Sequence, residues 1–74
     1  MSEYEFSLVT AGNLEDGATL DALFEAGCDD ATFGQVDSVG YADFVREAPS
    51  FVEAVRSAIE QVESVPGLRV VRVE

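Results

Sequence analysis

Few residues in this 74-residue chain are of types that do chemistry, and most of those are carboxylates. Asp29 and Asp30, with Glu25 nearby, could attract a divalent cation. A calcium loop, however, needs further oxygen ligands at alternate positions and a bidentate glutamate, and the residues that follow supply neither. The pattern favours a polar turn at the end of a helix, so we predict no metal site and no other cofactor.

Cys28 is the only cysteine, and the sequence holds no histidine that could serve as its base. It follows the C-terminal end of a predicted helix, where the helix dipole raises the pKa of a thiol. We therefore expect a buried or half-buried small side chain. With no other catalytic constellation in the sequence, we predict no catalytic residue and no enzymatic activity. A lone cysteine cannot form an intramolecular disulfide, which favours a reducing, cytoplasmic location.

The charge of the chain is strongly one-sided: fifteen acidic residues face four arginines and no lysine, for a formal net charge of −11. Such a field repels polyanions, so we expect this domain to bind neither nucleic acid nor an anionic membrane directly. No apolar run approaches the roughly 20 residues of a membrane span. Two origins of the composition remain open. One is a halophilic host, and the other is a GC-rich genome that encodes arginine in place of lysine.

Hydrophobic periodicity predicts two consecutive units, each with the order strand, helix, strand. Tyr4, Phe6 and Leu8 alternate with polar residues, which is the period of a half-buried strand. Asp37-Ser38 is expected to join two strands in a hairpin. The predicted strands and helices are, in chain order, strand Tyr4–Thr10, helix Asp16–Ala26, strand Ala31–Val36, strand Val39–Val45, helix Phe51–Glu63 and strand Leu68–Val73.

Capping residues in the sequence predict where the two helices begin and end. Ser50 followed by Glu53 is a capping box at the start of the second helix. Asn13 or Asp16 is expected to cap the first helix, and Gly27 to end it. The first helix is predicted to bury Leu20, Leu23 and Phe24, and the second to bury Val52, Val55, Ala58, Ile59 and Val62. The expected core contains Phe6, Leu8, Phe24, Phe44, Val55 and Ile59.

Two right-handed strand–helix–strand units in tandem predict an α+β fold of the ferredoxin-like βαββαβ kind, with a four-stranded antiparallel sheet and two helices on one face. Residues 1–74 form a single domain in this interpretation. The first and third strands are central, and the second and fourth lie at the edges. Gly34 and Gly40, within strands, are expected to mark bulges.

The last strand would then be an edge with apolar residues on both faces, which favours pairing with another strand. A second surface is expected on the open sheet face, where Ser7, Thr32, Tyr41 and Val45 would form an interface or a solvated face. Too few positive charges lie there for RNA binding. We therefore predict a homodimer, with the candidate interface residues Tyr41, Val45, Leu68, Val70, Val71 and Val73.

The chain also resembles the N-terminal segment of a group of uncharacterised bacterial proteins. The runs that carry the resemblance are Leu23–Ala31, Asp43–Ala48, Ala54-Val55 and Ser57–Ile59. In those proteins a similar segment precedes a helix-turn-helix module that binds DNA. The resemblance implies an accessory domain with a role in transcription regulation. It also implies that the chain is the N-terminal part of a longer protein, with DNA contacted only by the missing C-terminal part. No functional residues are defined in that segment, so the resemblance assigns none here.

Two functions follow as expectations. The first is a non-enzymatic regulatory or dimerisation domain of a bacterial DNA-binding protein. The alternative is a small-molecule sensor similar to the ACT-like domains that bind amino acids, in which effectors lie between paired domains. A polar, glycine-containing loop after the first strand would favour the sensor, and Thr10–Asn13 is a weak example.

Overall fold

A computed structural model describes residues 1–14 and 16–74 of the chain. The described elements are β1 (Ser2–Ala11), α1 (Gly17–Glu25), β2 (Ala31–Val36), β3 (Val39–Ala48), α2 (Phe51–Glu63) and β4 (Arg69–Val73). The predicted order is confirmed, and β2 and α2 have the predicted bounds. The prediction for β3 was too short, because the alternation of buried and exposed residues continues through Arg46 to Ala48. Arg46 is therefore a strand residue.

The four strands form one antiparallel sheet in the order β2-β3-β1-β4, which confirms the ferredoxin-like arrangement. Phe6 lies opposite Phe44, and Leu8 lies opposite Ala42, along the two central strands. These side chains share a core with Leu23 of α1 and with buried residues of α2, so both helices cover the same face. The other face of the sheet, which we call the open face, carries no helix in the described part of the chain.

The helix ends follow the local sequence. The side chain of Asp16 accepts a hydrogen bond from the Ala18 amide, so Asp16 is the N-cap of α1. Ser50 accepts from the Glu53 amide over 3.2 Å at the start of α2. Gly27 has φ +105°, the left-handed conformation that ends a helix at low cost. Glu15 lies outside the described residues.

The β2–β3 hairpin turns through Asp37 and Ser38, which both have positive φ angles. Positive φ at both central residues is the geometry of the two-residue turns whose twist matches that of the strands. The prediction of bulges at Gly34 and Gly40 was wrong, because the register runs without a break through both residues. The irregularity lies instead between Val9 and Thr10, where β1 pairs with β4.

The helix faces differ from the prediction. Phe24 is 54% exposed and Val52 is 60% exposed, so neither belongs to the core. The buried face of α2 consists of small side chains at its centre, Ala54 and Ala58, followed by Val62. Alanines let the helix axis approach the sheet closely, which moves Val55 and Ile59 to the side of the helix, where they are partly buried. The predictions for Phe6, Leu8, Leu23, Phe44 and Val62 were correct.

None of the described helices is long and apolar enough to cross a membrane.

Candidate interaction surface

The structure divides the predicted interface residues among three places. Val71 and Val73 are 54% and 40% exposed on β4, and Val70 packs partly against the core. Tyr41 and Val45 lie on the open face, away from β4, with Val45 44% exposed. Leu68 precedes β4 and is buried in the core, so it is not available at the edge of the sheet.

An apolar groove of about 450 Å³ lies between α2 and β4. Val52, Val55 and Ile59 form its helical wall, and Val73 closes it from the strand. Val73 reaches the groove because it lies opposite Leu8, on the helix-covered face of the sheet. The rim carries Arg56 and Glu60, and the remaining lining residue is Phe51.

Phe51 holds one end of the groove in a fixed position even though the residue is 47% exposed. Its ring makes edge contacts with Tyr4 and Phe6, at centroid distances of 5.8 and 5.9 Å. Phe6 in turn stacks on Phe44 at 5.4 Å, within the core. One end of the groove is therefore supported by an aromatic cluster that is continuous with the core.

The outer edge of β4 borders this groove. Val9 lies opposite Arg72 and Thr10 lies opposite Val70, which leaves Val71 as the extra residue of the irregular register. In the described part of the chain, β1 is the strand to which β4 is hydrogen-bonded, so the other edge of β4 is paired with no strand. The Val70 amide of β4 donates instead to Glu63 Oε2 of α2 at 3.0 Å. An edge of this kind can accept a further strand.

The groove and β4 belong to the part of the chain with the smallest net charge. Residues 1–50 hold eleven acidic residues and one arginine, a formal charge of −10. Residues 51–74 hold four acidic residues and three arginines, a formal charge of −1. Arg56 pairs with Glu53 at 3.4 Å beside the groove, and Arg72 pairs with Glu74 at 2.6 Å on the open face of β4.

A second cluster, centred on Arg46, was not predicted from the sequence. Arg46 lies on the helix-covered face of β3 and is 9% exposed. Its guanidinium donates to both carboxylate oxygens of Asp30, at 2.7 and 2.9 Å. It also donates to Ser57 Oγ at 2.9 Å and Gln61 Oε1 at 2.7 Å, and lies 5.0 Å from the centre of the Phe44 ring. The cluster joins β3 and α2 to the turn before β2.

The electrostatics of this cluster are those of a structural ion pair. The hydrogen bond from Arg46 lowers the pKa of Asp30, and the same bond raises the pKa of Arg46. Asp30 is thus committed to Arg46, and no group of three potential metal ligands occurs among the described residues. Cys28 is fully buried nearby, as predicted, and burial raises the pKa of its thiol. A protonated, inaccessible thiol is a poor nucleophile.

The loop after β1 is engaged in packing. Gly12 has φ +119°, and a Cβ atom built there would lie 2.3 Å from the Gly67 carbonyl oxygen. The loop thus contacts the turn between α2 and β4, and none of its described residues lines the groove.

In comparisons with known proteins, the chain matches no family model, no curated protein and no solved structure.

Proposed function

We propose that this domain is a non-enzymatic dimerisation domain, in which two copies associate through β4 and the groove beside it. The observation that carries the proposal is the position of the groove. An apolar groove lies directly beside the edge of β4 that pairs with no strand in the described part of the chain, and both belong to the part of the chain with the smallest net charge.

Each feature supplies one component of an interface. The edge of β4 offers backbone hydrogen bonds to another strand, and the groove offers apolar surface for side chains that accompany that strand. Two β4 strands that pair antiparallel about a two-fold axis use the same patch on both copies, so the contact is closed and self-complementary. The result is one continuous sheet through both copies, with Val71 and Val73 at the contact.

Charge restricts where two copies can meet. Each copy has a formal charge of −11, so most relative orientations bring acidic surfaces together. Contact through residues 51–74 keeps residues 1–50 of one copy away from residues 1–50 of the other. Salt screens the repulsion between charges that are more than about 8–10 Å apart.

We extend the proposal to the protein as a whole. The sequence resemblance supports a regulatory role beside a DNA-binding module that lies outside these residues. The acidic surface supports a role in which the DNA-binding module contacts DNA and this domain does not. A two-fold dimer would place two such modules for two half-sites of a DNA target.

The proposal is tested by the mass of the protein in solution. Sedimentation equilibrium at tens of micromolar should show a mass above 7.9 kDa, the value for one chain. Val71→Lys should shift the equilibrium towards the monomer, because it places a charge at the contact. The matched control is Val36→Lys, which makes the same change at a valine that is 62% exposed on the opposite edge strand.

A second measurement addresses charge. Association of the unmodified chain should become stronger between low and molar sodium chloride, because counterions screen the repulsion between copies. A monomer at hundreds of micromolar in molar salt would overturn the proposal. Equal effects of the two lysine variants would place the contact elsewhere.

A further inference from the structure

The open face of the sheet has an apolar end and an acidic end. Val36 and Val39 lie opposite each other next to the hairpin turn, and they are 62% and 36% exposed. Tyr41 follows on the same face of β3. Because alternate residues of a strand point to the same side, these side chains form a continuous apolar surface.

At the other end of the open face, acidic residues lie side by side. Glu3 is directly opposite Glu47, and Glu5 is opposite Val45. Like charges at directly opposite positions of an antiparallel pair, with Cβ atoms about 5 Å apart, destabilise the sheet. The fold nevertheless places them together on an exposed surface, where they flank the exposed side chain of Val45.

The arginines of the chain do not neutralise these carboxylates. Arg46 is bound to Asp30 beneath the helices, and Arg56 and Arg72 pair with acidic residues of the C-terminal third. Arg69 lies opposite Ala11, at the other end of β1. Arg72 lies opposite Val9 and Glu74 opposite Ser7, so this ion pair is on the open face. Among the described residues, no ion pair involves Glu3, Glu5 or Glu47.

We propose that the open face binds a cationic amphipathic helix of another protein, at a surface separate from the dimer contact. Lysine and arginine side chains would relieve the repulsion between Glu3, Glu5 and Glu47, and apolar side chains would cover Val36, Val39 and Val45. Strands β2, β3 and β1 are spaced about 4.8 Å apart, so from the hairpin turn to Phe44 they present a surface about 10 Å wide, which matches the diameter of one helix.

The same charges disfavour other occupants. Nucleic acids and anionic membranes are repelled by this end of the molecule. A second copy stacked on this face about a two-fold axis brings two faces of the same net negative charge together. A partner of opposite charge is the occupant that complements the face.

The test uses a fluorescein-labelled amphipathic helical peptide of leucine and lysine, titrated with the protein at physiological salt and followed by fluorescence anisotropy. The double variant Glu5→Gln/Glu47→Gln should weaken binding about tenfold, because both charges face the bound helix. The control Asp21→Asn/Glu25→Gln removes two negative charges from exposed positions of α1. It should change the affinity less than about twofold.

Two further variants show where on the protein the peptide binds. Val45→Ser should weaken binding, whereas Val71→Lys, which tests the dimer contact, should leave it unchanged. Circular dichroism confirms that each variant is folded. Equal losses in the two charge-matched double variants would show a general attraction to acidic protein and overturn the proposal. An absence of binding, or a loss confined to Val71→Lys, would overturn it as well.

Discussion

The two strand–helix–strand units have the same order of elements but contribute differently to the domain. In the second unit, α2 is thirteen residues long and buries Ala54, Ala58 and Val62 against the sheet. In the first unit, α1 is nine residues long and fully buries only Leu23 among its described residues. Residues 1–36, which contain the first unit, hold eight acidic residues and no arginine, a formal charge of −8, whereas residues 39–74 hold six acidic residues and four arginines, a formal charge of −2. A repeated order of elements therefore does not imply a repeated distribution of stability.

The largest effect that separates the units is expected at two phenylalanines. Phe44 is 1% exposed in the core, and Phe24 is 54% exposed on α1. Phe44→Ala should lower the free energy of unfolding by about 3–5 kcal/mol, because it leaves a cavity beneath the helices. Phe24→Ala should change it by less than about 1 kcal/mol. Urea unfolding measures both, and a similar loss at the two positions would contradict the assignment of the core.

The next effect concerns the ion pair that ties the units together. Asp30→Ala should destabilise the domain by about 2–3 kcal/mol, because it leaves the Arg46 charge buried without its carboxylate. The control is Arg56→Ala, which breaks an exposed pair and should cost no more than about 0.5 kcal/mol. Equal costs would show that the Arg46 cluster behaves as a surface ion pair.

The same pair has a defined pH dependence. The pKa of Asp30 is lower in the folded chain than in the unfolded chain, so its contribution is fully present above the unfolded pKa of about 3.9. The contribution is lost as the pH falls through the folded pKa. The difference in stability between the wild type and Asp30→Asn should therefore be constant at neutral pH and shrink below about pH 4. A difference that persists unchanged in acid would contradict this.

A smaller effect is expected at the start of α2. Ser50→Ala removes the acceptor for the Glu53 amide and should cost about 1 kcal/mol. Ser50→Gly is the matched variant, since glycine at the N-cap costs only a few tenths of a kcal/mol. Thermal unfolding of the two variants ranks them, and a greater loss for glycine would exclude a capping role.

The smallest effect is a gain of stability in α1. Gly17 is the first residue of the helix, and a Cβ atom built there meets no atom within 4 Å. Gly17→Ala should therefore stabilise the domain by about 0.5–1 kcal/mol. Gly27→Ala, at the other end of the same helix, should destabilise it because of the positive φ angle. A loss at both positions would show that the first turn of α1 is constrained by contacts other than helix formation.

The sequence was sufficient to predict the fold because its local signals agree. Alternation defines β1, the two-residue turn defines the β2–β3 hairpin, and the Ser50 cap defines the start of α2. The buried face of α2 was not predictable in the same way. The helix carries two adjacent apolar stripes, and only the packing distance allowed by Ala54 and Ala58 decides which one meets the sheet. The other stripe forms the groove.

The Arg46 cluster was missed because charged residues are mostly exposed, which made Arg46 a plausible end of the strand. The alternation of buried positions at Ala42 and Phe44 continues to Arg46 and Ala48, and this was the available signal. Its partners, Asp30 and Gln61, come from distant parts of the chain, and no local pattern brings them together. The position of Val71 and Val73 on an edge strand was predictable, because it follows from the strand order and the sequence was sufficient to predict that order.

The strand order also determines when the domain can fold during its synthesis. The first strand to be made, β1, pairs with β3 from Ser2 opposite Ala48, and with β4 from Leu8 opposite Val73. Until β4 leaves the ribosome, one edge of β1 has no neighbouring strand. The β2–β3 hairpin is the only part of the described sheet that closes locally, and hairpins form within microseconds. The nascent chain must therefore keep β1 from pairing with other chains until β4 has been made, and the acidic residues Glu3 and Glu5 of β1 oppose such contacts.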